Sequence, residues 1–107
     1  MNQEEIDEII RKHKLWLDSK DSGKRADFQK ADLLGAALCK ANLHDANLRR
    51  ANLSEANLNE ANLRNADLRA ADLSWADLHG AKMSQQDMYS ASLTQEQRDS
   101  IIIVDKD

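Results

Sequence analysis

Residues 26–95 read ADFQK ADLLG AALCK ANLHD ANLRR ANLSE ANLNE ANLRN ADLRA ADLSW ADLHG AKMSQ QDMYS ASLTQ, 14 blocks of five. The first position is Ala in 13 blocks, Gln86 being the exception. The third is Leu in 11, with Phe28, Met83 and Met88 in the others. The second is Asn or Asp in 11, with Ala37, Lys82 and Ser92 departing. Of 15 alanines in the chain, 13 share this one register, so the pattern is a repeat and not a composition.

A period of five suits neither ordinary element. On an α-helix, five residues advance the chain by about 500°, and the leucines would spiral over every face. On a flat strand an odd period sends successive leucines to opposite sides. Each block must therefore be a small unit of its own. Its Ala and Leu, two apart, share one face of an extended piece, and the remaining residues turn the chain. A chain that bends the same way in every block winds into a coil. Successive turns of such a coil stack through backbone hydrogen bonds about 4.8 Å apart. The predicted fold class is an all-β solenoid.

The A(D/N)LXX blocks resemble the pentapeptide-repeat family over residues 26–95. The resemblance implies a right-handed quadrilateral β-helix with four blocks per turn, hence about 3.5 coils. It makes a central ladder of Phe28, Leu33, Leu38, Leu43, Leu48, Leu53, Leu58, Leu63, Leu68, Leu73, Leu78, Met83, Met88 and Leu93. Ala41, Ala46, Ala51 and Ala56 are the small inward partners where the walls converge.

A solenoid exposes its core at both ends, and both flanks read as caps. Residues 1–25 hold an amphipathic helix over 3–19, with Ile6, Ile9, Ile10, His13, Trp16 and Leu17 at helical spacing and Leu15 on the opposite side. Asn2 and Glu5 form a capping-box pattern, and Gly23 is the expected terminator. His13 reads as a packing residue. The run His13–Leu17 also resembles leader helices that precede repeats in this family. In residues 96–107, Gln97 pairs with Thr94 as a second capping box opening a short helix. Ile101, Ile102, Ile103 and Val104 follow as an extended apolar tail. The tail either covers the last turn or pairs with a second copy, and the resemblance favours a homodimer through this end. The 107 residues make one domain.

Composition excludes several classes. One cysteine and no proline rule out a disulfide scaffold or a Cys-rich zinc module. No apolar run reaches the roughly 18 residues of a membrane span. The N-terminus is acidic, without a signal peptide's apolar stretch, so a cytoplasmic protein is expected. No nucleotide-binding loop, zinc-protease motif or CxxC occurs. Asp27, Asp32, Asp67 and Asp72 have the oxygen donors calcium takes, but Asn or Asp recurs on every side, and turn bonding explains that better. Cys39, Asn59 and His79 share a column, yet Cys39 and His79 lie two turns apart, about 10 Å, too far for a nucleophile and its base. No enzyme, metal or cofactor is expected.

The outward positions remain. In the four-sided reading Gln29, Arg49, Arg69 and Tyr89 stack in one column, with Lys30, Arg50, Ala70 and Ser90 beside it and Arg64 and His44 on the preceding face. Lys30, Arg49, Arg50, Arg64 and Arg69 gather near one basic edge, partly neutralised by Asp67 and Asp87. The edge reads either as a site for an anion, nucleic acid or acidic protein, or as a solvated face of mixed charge. Direct nucleic-acid binding is disfavoured because aromatic platforms are lacking. Trp75, in a column with Gly35, Glu55 and Gln95, is an interface anchor or lies flat over Gly80 or the neighbouring column. Leu34 is another outward apolar residue.

Some members of the family resemble B-form DNA and protect DNA gyrase. Here the repeats carry nine acids and seven bases, within a chain of net charge -4, and fit a DNA mimic poorly. The sequence thus predicts a non-enzymatic bacterial scaffold or interaction module with an unidentified protein partner. Its contact residues would be Arg49, Arg50, Arg64, Arg69 and Trp75. A DNA-mimicking inhibitor is the alternative.

Overall fold

A block turns before it pairs with anything else. In Phe28–Ala31 the Ala31 N–H donates to the Phe28 carbonyl at 3.0 Å. Lys30, third in that four-residue turn, has φ +62°, and Gln29 before it has a negative φ. That is a type II turn, and it recurs through the repeats. The second-position side chain braces it. Asp27 Oδ1 accepts the Gln29 N–H at 3.0 Å, and Asp32, Asn42, Asn47, Asn52, Asn57, Asn62, Asp67, Asp72 and Asp77 do the same two residues on. Short polar side chains recur here because only they reach their own backbone at that distance.

The computed structural model describes residues 1–104. Within it, blocks stack on blocks twenty residues on. Parallel bridges join Asp27 to Asn47, Asp32 to Asn52, Ala37 to Asn57 and Asn42 to Asn62, and continue to Asn62 with Lys82. Four blocks therefore complete a turn of the chain. Each block gives its second-position N–H to the turn before it and its third- and fifth-position N–H groups to the turn after it. Asn47 N donates to Ala26 O at 3.1 Å, Phe28 N to Asn47 O at 2.7 Å and Lys30 N to Arg49 O at 2.9 Å. Third-position side chains fill the axis. Leu43, Leu48, Leu53, Leu58 and Leu63 are wholly buried, with Ala46, Ala51, Ala56 and Ala61 beside them.

Helix α1 (Gln3–Leu17) lies against the first turn, where backbone groups have no earlier turn to pair with. Its Asn2–Glu5 capping box is formed. The Gln3 amide pairs with Ala37 on both sides, accepting the N–H at 3.0 Å and donating to the carbonyl at 2.9 Å. His13, wholly buried, accepts the Ala26 N–H on Nδ1 at 2.9 Å, so its proton is on Nε2, which donates to His44 O at 2.7 Å. Ile6 is buried, Ile9, Ile10 and Leu17 are half-buried, and Trp16 stacks on His13 with 38% of its surface exposed.

The end of α1 corrects the sequence reading in one respect. Ser19, at φ +60°, ends the helix in a Schellman motif, with Lys20 N donating to Leu15 O at 2.9 Å and Ser19 N to Trp16 O at 3.0 Å. Gly23 is needed for another reason: a Cβ there would meet the Trp16 amide nitrogen at 2.2 Å.

The regular blocks also stop early. Pairing runs to β1 (Lys82–Met83), and then Ser84 accepts the Asp87 N–H on its hydroxyl and opens α2 (Gln85–Ser90). Gln86 replaces the small corner alanine, and the chain leaves the coil. Tyr89 therefore lies on α2 and not in the arginine column, and Met88 and Leu93 are half-buried instead of axial. Helix α3 (Gln95–Ser100) follows with its Thr94–Gln97 capping box formed. The Gln97 amide donates to Leu73 O at 2.8 Å and Ala76 O at 3.1 Å, tying α3 to the preceding turn. Strand β2 (Ile102–Ile103) pairs in parallel with this chain's own β1, twenty residues back, leaving Ile102 and Ile103 50% and 41% exposed. Residues 105–107 of the predicted tail lie outside the described residues.

Two outcomes follow. A left-handed backbone costs an L-residue about 1–2 kcal/mol, against about 0.5–1 kcal/mol for glycine's extra unfolded freedom. Ala70, exposed at φ +60°, should thus gain about 0.5–1 kcal/mol on Ala70→Gly, read as a rise of a few degrees in Tm. Burial lowers the His13 pKa from its ordinary 6.5. The unfolded chain therefore binds that proton more readily, and the stability His13 contributes is complete above its ordinary value and lost as pH falls through the lowered one. Thermal melts between about pH 7 and about pH 5 should show this loss, and His13→Gln should flatten that part of the profile.

Candidate functional site

Fourth and fifth positions form the corners of the coil, and the predicted contact residues occupy three of them. Arg49, Arg50 and Arg69 share one corner with Lys30: Lys30 N donates to Arg49 O and Arg50 N to Arg69 O, each at 2.9 Å. Arg64 stands at the corner before. Trp75 stands at the corner after. The structure thus gathers three of the five residues and separates the other two.

The basic corner is less basic than its composition. Arg69 grips Asp67 with both arms, Nε to Oδ1 at 2.9 Å and Nη2 to Oδ2 at 2.8 Å. Those bonds, with the more distant charge of Arg49, hold the Asp67 carboxyl down at about 2, against partial burial that pushes the other way. Lys30, Arg49 and Arg50 make no ion pair among the described residues and are the free cations of the corner. Arg64 is half-buried, its Nε without a hydrogen-bond partner, while its carbonyl accepts from Asp45 N at 3.1 Å and from His44 Nδ1 at 2.9 Å. Asp87, assigned to this face by the repeat register, instead accepts the Asn65 N–H from α2 at 3.2 Å.

Trp75 does not lie flat: 89% of it is exposed. It lines an open groove of about 780 Å³ with Ser74, Asp77, His79, Thr94, Glu96 and Gln97. Sequence reasoning missed this groove. The Thr94–Gln97 box signals a helix, but nothing in the sequence says that the helix stands beside Trp75. Leu34 is exposed as predicted from its outward position, and Cys39 is exposed as well. Among the described residues no three His, Cys, Asp or Glu side chains converge as metal ligands. The second-position carboxylates are engaged in their own turns.

A chain that pairs in parallel with itself, four short blocks to the turn, around an axial leucine ladder, is a parallel β-helix. The family model for pentapeptide repeats matches eight copies over residues 24–45 and 46–85, more than half of the chain, which belongs to that family. Among solved structures it is similar to the pentapeptide repeat protein Rfr23 from the cyanobacterium Cyanothece 51142, 42% identical over 55% of this chain and 40% of that one, with a TM-score of 0.54. It is also similar to HetL, a pentapeptide repeat protein involved in heterocyst differentiation regulation in Nostoc sp. strain PCC 7120. That protein is 36% identical over 55% of this chain and 30% of that one, TM-score 0.40. The chain thus spans less than half the length of either protein. No curated protein matches it. The solved relatives imply the right hand of the helix, and the family is generally one of non-enzymatic structural or interaction proteins. Among the described residues no helix is long and apolar enough to cross a membrane.

The Asp67–Arg69 contact carries its own test. A carboxyl titration followed by NMR should place the Asp67 midpoint near 2, and Arg69→Ala should return it toward the ordinary 3.8. Arg69 is 66% exposed, so solvent screens the pair and the same substitution should leave the Tm nearly unchanged.

Proposed function

We propose that the chain is a non-enzymatic interaction scaffold of the bacterial cytoplasm. On this reading α1 caps one end and α2, α3 and β2 cap the other, around about three stacked turns at the usual strand spacing of about 4.8 Å. The observation that carries the proposal is the twenty-residue register. It fixes corner side chains in columns before any partner arrives, so little ordering entropy is lost on binding.

The partner is an acidic protein surface. Arg49 and Arg50 are its first contacts, with Lys30 beside them, because these three are the unpaired cations of the corner. Arg69 serves by exchanging Asp67 for a partner carboxylate. Arg64 and Trp75 contribute from the neighbouring corners. The same basic corner weighs against imitation of DNA, which needs an unbroken acidic surface.

Affinity capture from the source cell tests this. The full chain should retain a partner that is lost, at least tenfold, with Arg49→Glu/Arg69→Glu, and that elutes with rising salt. Arg11→Glu, on the remote helix α1, should keep it. An unchanged capture profile for the double variant would overturn the proposal.

A further inference from the structure

Trp75 has no role in the fold. It is the most exposed of the large apolar side chains, and its backbone lies at φ +61°, a region that bulky residues avoid. Gly35 holds the same place in the column two turns earlier, at φ +66°, so the turn itself asks for no side chain at all. Fifth positions throughout the repeats share this left-handed backbone, so it is a bulky indole left in water, with no packing in return, that marks Trp75 as a residue kept for contact.

The surroundings say what it contacts. The groove beside Trp75 is lined by the carboxylates Asp77 and Glu96 and by no lysine or arginine. Asp77 spends one oxygen on the His79 N–H at 3.2 Å, leaving the other free, and Glu96 makes no hydrogen bond or ion pair among the described residues. Glu55 stands one turn below Trp75, its N–H donating to Ser74 O at 2.9 Å. The walls are held in place: Gln97 bonds α3 to the carbonyls of Leu73 and Ala76. An anionic ligand would be repelled here. An apolar helix would bury two carboxylates without partners, which is costly. A cation meets an indole face and two carboxylates at once.

We propose that this groove binds an arginine carried on an extended segment of a partner protein, its guanidinium stacked on Trp75 and paired with Asp77 and Glu96. Arginine is preferred to lysine because a planar guanidinium can stack on a ring while its edge donates to carboxylates. The proposal deepens the display reading at the Trp75 corner and rests on it only there, since the arginine corner plays no part.

The probe is a short synthetic peptide of three arginines alternating with glycines, capped at both ends, titrated into the full chain. In a Trp16→Phe background Trp75 is the only indole, and its emission should change saturably. By calorimetry, Asp77→Asn/Glu96→Gln should weaken binding about tenfold, and Trp75→Gly about fivefold, the worth of one cation–π contact. Trp75→Gly suits the left-handed backbone, so its loss of binding would not come from misfolding. The lysine version of the peptide should bind several-fold more weakly. Glu4→Gln/Asp21→Asn, which removes the same charge from exposed sites far from the groove, should leave affinity unchanged. Arg49→Glu/Arg69→Glu should not weaken it, which separates this site from the basic corner. The absence of a saturable response, or equal weakening by the remote pair, would overturn the proposal and leave diffuse charge attraction in its place.

Discussion

The pairing of a third-position N–H with the second-position carbonyl of the block four further on, as from Phe28 to Asn47, is what the rest of the molecule depends on. It is made only if the intervening chain turns four corners by nearly equal amounts. Each corner must therefore be the same turn. The left-handed fifth residue and the Asn or Asp brace are the means. Once the turns agree, the leucines fall on one axis as a consequence, and a core forms without any long strand or helix. The alanines mark the places where neighbouring walls leave no room for more than a methyl group.

A ladder of this kind can extend indefinitely, so its difficulty is in stopping. The two ends solve it differently. At the first turn the unpaired amides and carbonyls meet side chains of α1: the Gln3 amide works as a piece of strand against Ala37, and neutral His13 bridges Ala26 and His44. At the last turn the chain itself changes form. Asp87 and Gln97 bring side-chain groups to Asn65, Leu73 and Ala76, where another block would have brought backbone. Only β2 continues the true register, and its isoleucines remain half in water.

Much of this was legible beforehand, and for physical reasons. A period of five is incompatible with the standard elements, so the coil and the leucine axis were forced, and the brace role of Asn and Asp followed from its indifference to side. Both capping boxes are local patterns and were readable. The exit at Ser84 was written faintly, in Gln86 at an alanine position and methionines for leucines, but a tally of blocks cannot weigh one misplaced glutamine against thirteen alanines. Ser19 as the helix terminator was obscured because glycine is the usual choice and Gly23 stood nearby. The contact residues were the least legible. A column can be counted, but whether Arg69 turns to Asp67 or to solvent, and whether Trp75 lies down or stands, depends on rotamers and on a helix that begins twenty residues beyond Trp75.

The corners also separate two kinds of inheritance. A fifth-position residue such as Lys40, Glu55 or Glu60 faces water and is held in place by main-chain bonds that ignore its identity. Mutation can rewrite these letters one at a time while the axis stays untouched. The molecule is thus a fixed-pitch rack whose pegs are interchangeable, and selection for a new ligand would require no compensating change inside.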